Sequence, residues 1–186
     1  SQFHLLSHAI FKALLFLCAG SVIHEVHTRD MGAMGGLNRR MPLTAKCYLI
    51  GVLALSGVPV LNGFWSKDML FASALDSGKY IPLALVAVTA VLTLTYSVRS
   101  YLKVFTGELT PACSKAEETH PVMLVPLVLL AAGAITSWLI IGNYTGALSQ
   151  NGIIHEVIGI VDLIKETVES TALLLSLAAL AVGISV

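Results

Sequence analysis

The sequence predicts an all-α protein, a polytopic bundle of transmembrane helices with one helix broken in the middle. Three observations predict it. The 186 residues are 56% hydrophobic and only 12% charged, with a mean hydropathy of +0.83; soluble domains carry about a quarter charged residues. The apolar residues gather into runs long enough to cross a hydrocarbon core about 30 Å thick. One such run is interrupted by Ser56-Gly57-Val58-Pro59-Val60-Leu61-Asn62-Gly63, where proline removes a backbone donor and glycine lowers helix propensity on both sides.

The first span runs from about residue 3 to 23. His4, His8 and Lys12 stand in it at i, i+4 and i+8, so on a helix they rise up one face as a polar ladder roughly 12 Å long. Inside a bilayer each such group costs about 2.5 kcal/mol or more, so a ladder of three implies a face turned to protein or water. Histidine and lysine are the side chains best suited to exchanging protons at working pH. His4 and His8 also have the spacing of a metal pair, but zinc needs further ligands, and no Cys or carboxylate lies next to them on that helix. A proton relay is therefore the stronger reading.

Residues 24–42 are polar and rich in glycine, an ordered loop. The broken run follows over about 45–76, read as half-helices 45–57 and 64–76 with an unwound link near 56–63. Phe64-Trp65-Ser66-Lys67-Asp68 stands just after the break. Non-helical backbone at membrane depth is tolerated where protein buries it or where it lines a wet cavity, and in transporters such a break marks the ion site. That makes Lys67, with Asp68 beside it, the candidate partner of the ladder.

A third span covers about 81–105 and carries Arg99 and Lys103 near its far end; Arg99 reads equally as an interfacial anchor or a pathway residue. Residues 106–121 form a loop, and 122–142 a fourth span with Pro126 in its first turns. Asn143 to Gly152 reads as a polar link. In 153–170, Ile153, Ile154, Val157, Ile158, Val161, Ile164 and Val168 share one face opposite charged residues, an amphipathic helix. The apolar run from Thr171 to Val186 is shorter than a span. Ser1 is no initiator Met and the chain ends inside an apolar run, so a piece of a longer membrane protein is expected.

Eleven basic residues balance eleven acidic ones. With no basic run or basic-aromatic stripe, nucleic acid is not a partner. Cys18, Cys47 and Cys113 lack any CxxC spacing and read as packing residues. Arg29, Arg39, Arg40 and Lys46 on one loop, with Lys103 and Lys115 on another, place both loops in the cytoplasm by the positive-inside rule and the ladder in the outer half.

Four motifs taken in order resemble one known family: His4-Leu5-Leu6-Ser7-His8-Ala9-Ile10-Phe11-Lys12, Gly20-Ser21-Val22-Ile23-His24, Met34-Gly35-Gly36-Leu37 and Gly63-Phe64-Trp65-Ser66-Lys67-Asp68. The resemblance is to the antiporter-like L subunits of respiratory complex I, NADH–quinone oxidoreductases, with their archaeal deazaflavin-dependent relatives. It covers roughly residues 1–110. It implies an antiporter-like fold, with 1–142 as the C-terminal part of a proton-translocating membrane domain and 143–186 as an amphipathic segment and a truncated further helix. It also implies that His4, His8 and Lys12 look like the family's central relay and Lys67 like its terminal lysine, with Asp68 next to it.

Where the family commonly has an acidic residue after the Ser-Lys-Asp triplet, this chain has Met69, which weakens a carboxylate pair. The family's glutamate–lysine pair on earlier helices and its long lateral helix are absent, so the resemblance implies half a channel. Protons are the expected cargo, sodium the variant. No cofactor is expected in this chain; quinone, flavin and iron–sulfur clusters are expected in partner subunits of a membrane arm, in a prokaryotic inner or plasma membrane. A subunit of a multisubunit sodium/proton antiporter, with the same fold and no redox partner, is the alternative.

Overall fold

The computed structural model describes residues 2–76, 78, 80–150, 159–161 and 164–165. Among them every regular element is helical: α1 (Gln2–Val26), α2 (Pro42–Ser56), α3 (Asn62–Asp76), α4 (Tyr80–Phe105), α5 (Pro121–Thr136) and α6 (Ile141–Gln150), with short 3-10 turns at Leu37–Arg39, Pro111–Cys113 and Ser137–Ile140. Three stretches of the described residues are long and apolar enough to cross a membrane, Phe3–Val26, Tyr80–Phe105 and Pro121–Asn143; Pro42–Ser56 is a shorter apolar helix.

α1 is the centre of the bundle, packed against α2, α5 and α3, while α4 lies on α2 and α3. Phe11, Leu14 and Cys18 are fully buried on it, whereas Leu5, Phe16 and Leu17 remain exposed. A helix at the middle of a membrane bundle needs no polar outer face, so its apolar residues go all the way round. The three cysteines are free and buried; Cys18 and Cys47 share one apolar cluster with Leu14, Leu127 and Ala131.

The break lies where the Gly/Pro segment predicts it. Gly57 closes α2 in the left-handed region (φ 81°), and its N–H donates to the Leu53 and Ala54 carbonyls, a glycine-capped helix end. Val58 N–H also returns to the Leu53 carbonyl at 3.0 Å. Val60 follows with φ 79°, a costly conformation for a β-branched residue. α3 then starts so close to α2 that a Cβ on Gly63 would overlap the Ala54 carbonyl; only glycine lets the two backbones touch there.

The loops at the other end of the bundle are ordered by each other. Gly36 N–H donates to the Thr106 carbonyl at 2.9 Å and Thr110 N–H to the Gly35 carbonyl at 3.4 Å. Met41, at the N-terminus of α2, supplies no side-chain cap. The cap comes from a distant loop instead: Glu118 accepts from Leu43 N–H at 2.7 Å, from Thr44 N–H at 3.4 Å and from the Thr44 hydroxyl at 2.7 Å. A carboxylate at a helix N-terminus satisfies orphan donors and complements the dipole.

The polar link expected over 143–152 is a correction. Residues up to Gln150 continue as helix α6, reached from α5 through the Ser137–Ile140 turn. Thr145, a residue read as loop-forming, is buried and returns its hydroxyl to the Ile141 carbonyl at 2.8 Å. Local polarity suggested a link; the segment is helix, and the buried Thr145 hydroxyl is satisfied within it by a helix carbonyl. Asn62 donates from Nδ2 to Ser137 Oγ at 3.0 Å, so the start of α3 is tied to this turn. The amphipathic and final segments expected from 153 onward fall outside the described residues except at 159–161 and 164–165, where Ile160 packs against the Phe3 and Ile141 cluster.

Candidate functional site

The i, i+4, i+8 spacing puts His4, His8 and Lys12 on one face of α1, and the break sends α3 across that face. The His4 and His8 rings stand 6.0 Å apart between centroids, and His8 meets Phe11 edge-on at 5.3 Å. His4, His8, Lys12 and Lys67 all line a single, partly open cavity of about 380 Å³, together with apolar residues of α3 and α4 and with Thr89, Thr93 and Tyr96 of α4. The ladder and the lysine after the break, proposed from separate stretches of sequence, thus share one space.

Lys67 is held at the break itself. Its Nζ donates to the Leu55 carbonyl at 2.6 Å. Leu55 is in the last turn of α2, whose carbonyls have no intrahelical partner. The Leu53 and Ala54 carbonyls receive Gly57 and Val58 N–H groups, and the ammonium takes the next one. The negative end of the α2 dipole is where a cation belongs.

His4 is tied to α3 as well. Its Nδ1 lies 3.1 Å from Ser66 Oγ, and that hydroxyl donates to the Gly63 carbonyl at 3.2 Å. Ser66 is fully buried. It was visible in sequence only as part of a motif, with no periodicity marking its partner.

Asp68 is buried but does not line the cavity, because successive helix residues point about 100° apart. Arg99 is exposed on α4 and lines neither this cavity nor the next. That second space, of about 190 Å³, begins at Lys12 and continues past Tyr48, Ser97 and Ser100, with Leu55 and Tyr96 shared between the two. Tyr48 Oη and Ser100 Oγ are 3.0 Å apart there.

Among the described residues no three His, Cys, Asp or Glu side chains cluster as a metal site would require. Two imidazoles face two lysines in the cavity, and ammonium groups are not metal ligands and repel cations.

The sequence model of a family described as "NADH:quinone oxidoreductase/Mrp antiporter, TM" matches residues 1–93. The chain is 40% identical to NADH-quinone oxidoreductase subunit L of Rickettsia felis over 98% of its own length and 28% of that protein's. It is 36% identical to F(420)H(2) dehydrogenase subunit L of Methanosarcina mazei, over 97% of this chain and 26% of the relative. Among solved structures it resembles the Mrp complex from Dietzia sp. (TM-score 0.69, 25% identity, 98% of this chain, 20% of the other). It also resembles an archaeal membrane-bound sulfane sulfur reductase (TM-score 0.69, 25% identity, 72% of this chain, 22% of the other). The chain spans little more than a quarter of the curated relatives it matches. The fold is antiporter-like, and these similar proteins belong to multisubunit membrane complexes.

Proposed function

We propose that this chain, which belongs to the NADH:quinone oxidoreductase/Mrp antiporter transmembrane family, carries half of a proton channel in a redox-driven membrane complex. The observation that carries the reading is the shared cavity of His4, His8, Lys12 and Lys67. His4, His8 and Lys12 pass protons along α1, and Lys67 exchanges them at the broken helix. Charge on one group repels charge on the others across the cavity, so a proton arriving at one group favours release from the next. Asp68 contributes from beside Lys67 without entering the cavity, and Arg99 serves as an interfacial anchor.

The chain performs no substrate chemistry. Quinone, flavin and iron–sulfur reactions belong to partner subunits, whose energy reaches the array through conformational or electrostatic coupling. The partners are other membrane-arm subunits and the lipid bilayer of a prokaryotic plasma membrane. Names of relatives at 36–40% identity support the redox-driven form. The Mrp structure, similar over 98% of this chain, supports a second reading, a sodium/proton antiporter subunit without redox coupling.

The test is Lys67→Ala in the intact complex reconstituted in liposomes. Loss of most quinone-linked proton uptake, measured with a pH-sensitive dye, is expected; full pumping overturns the relay. Sodium-dependent transport in a complex that purifies without quinone-reducing subunits would replace the first reading with the second.

A further inference from the structure

The His4–Ser66 contact has a direction. A serine hydroxyl has one proton to donate and lone pairs that accept. Ser66 donates that proton to the Gly63 carbonyl at 3.2 Å, so toward His4 Nδ1, 3.1 Å away, it offers only an acceptor. With the hydroxyl proton placed on Gly63, Nδ1 is the nitrogen that carries the hydrogen. The opposite tautomer, with a bare Nδ1, would require Ser66 to turn its proton from the Gly63 carbonyl to His4. Because Ser66 is fully buried, no bulk water stands by to replace either bond.

We propose that Ser66 is a tautomer clamp on His4, holding the proton on Nδ1 and leaving Nε2 as the atom that takes and returns protons in the cavity. The same arrangement serves both charge states. A proton arriving at Nε2 makes an imidazolium whose Nδ1–H still donates to Ser66, and its departure restores the starting tautomer without a ring flip. The clamp is anchored to the helix break through Gly63, one of the residues that set the α2–α3 approach, so His4 and Lys67 are referenced to the same piece of backbone. Ser66 acts through His4 and is a positioning residue.

The inference rests on the relay reading above, and the experiment separates the two. Ser66→Ala, Ser66→Thr, His4→Ala, the double variant His4→Ala/Ser66→Ala and Lys67→Ala are compared in the intact complex in liposomes, with proton uptake per quinone reduced as the readout. Losing one buried hydrogen bond corresponds to roughly a threefold to tenfold fall in uptake for Ser66→Ala. Ser66→Thr, which keeps the hydroxyl, is expected to stay within about twofold of the parent. In the His4→Ala background, adding Ser66→Ala is expected to change nothing further, since the partner it positions is gone. Normal uptake by Ser66→Ala, equal damage from Thr and Ala, or an additive double variant overturns the clamp. If Lys67→Ala abolishes uptake while Ser66→Ala pumps normally, the clamp alone fails; if Lys67→Ala pumps fully, the relay itself fails. Should Ser66→Ala not assemble, Ser66→Cys, of similar size with a weakly bonding thiol, takes its place under the same criteria.

Discussion

Lys67 Nζ donates to the Leu55 carbonyl at 2.6 Å, across the gap between two half-helices. The same group is therefore a latch for the break and the candidate terminus of the relay, and substitutions can separate the two duties. Lys67→Gln keeps an N–H donor but cannot carry a proton; Lys67→Ala keeps neither. Both are expected to lose most proton translocation. Only the alanine variant leaves a buried carbonyl unmet, at a cost of about 1–3 kcal/mol. Thermal inactivation of the solubilised complex should place Gln near the parent and Ala below it. Equal thermal behaviour would remove the latch.

Lys12 and Arg99 form a contrasting pair. Lys12 borders both cavities, whereas Arg99 is exposed and lines neither. Lys12→Ala is expected to lower proton uptake at least tenfold, and Arg99→Ala to stay within about twofold. Strong loss in Arg99→Ala, with normal assembly, would return it to the pathway.

Glu118 caps α2 from the loop before α5. Replacing a capping side chain by alanine costs about 0.5–2 kcal/mol. Glu118→Ala should speed protease cleavage within 106–120 and leave the cavity side unchanged. Cleavage at the parent rate would mean that the cap does not hold the loop.

Gly63→Ala places a methyl group into the Ala54 carbonyl. Because the neighbour is backbone rather than a flexible side chain, relief requires moving a half-helix. The expected result is loss of the subunit from the membrane complex, read by its abundance in the purified assembly. Normal abundance would show that the half-helices can separate without harm.

Much of this arrangement was legible in the sequence because it is written in local terms. Hydropathy and run length mark the spans, the 3.6-residue period puts His4, His8 and Lys12 on one face, and a Gly/Pro cluster breaks a helix wherever it stands. The same locality misled at 143–150, where Asn, Thr and Gly read as a link and packing made helix α6. No local pattern marks Glu118 as a helix cap, since its hydrogen-bond partner Thr44 lies 74 positions away.

What the sequence by itself determined is which groups are costly in a membrane and where the backbone must open. Only the tertiary structure decided that these features meet: that α3 crosses the ladder face of α1, that Lys67 enters the cavity while Asp68 turns aside, and that Ser66 reaches His4 across 62 positions. Periodicity fixes direction around one helix axis. The relation between two axes comes from side-chain packing and from close backbone approach, as at Gly63 and Ala54, and no pattern within a single segment encodes it.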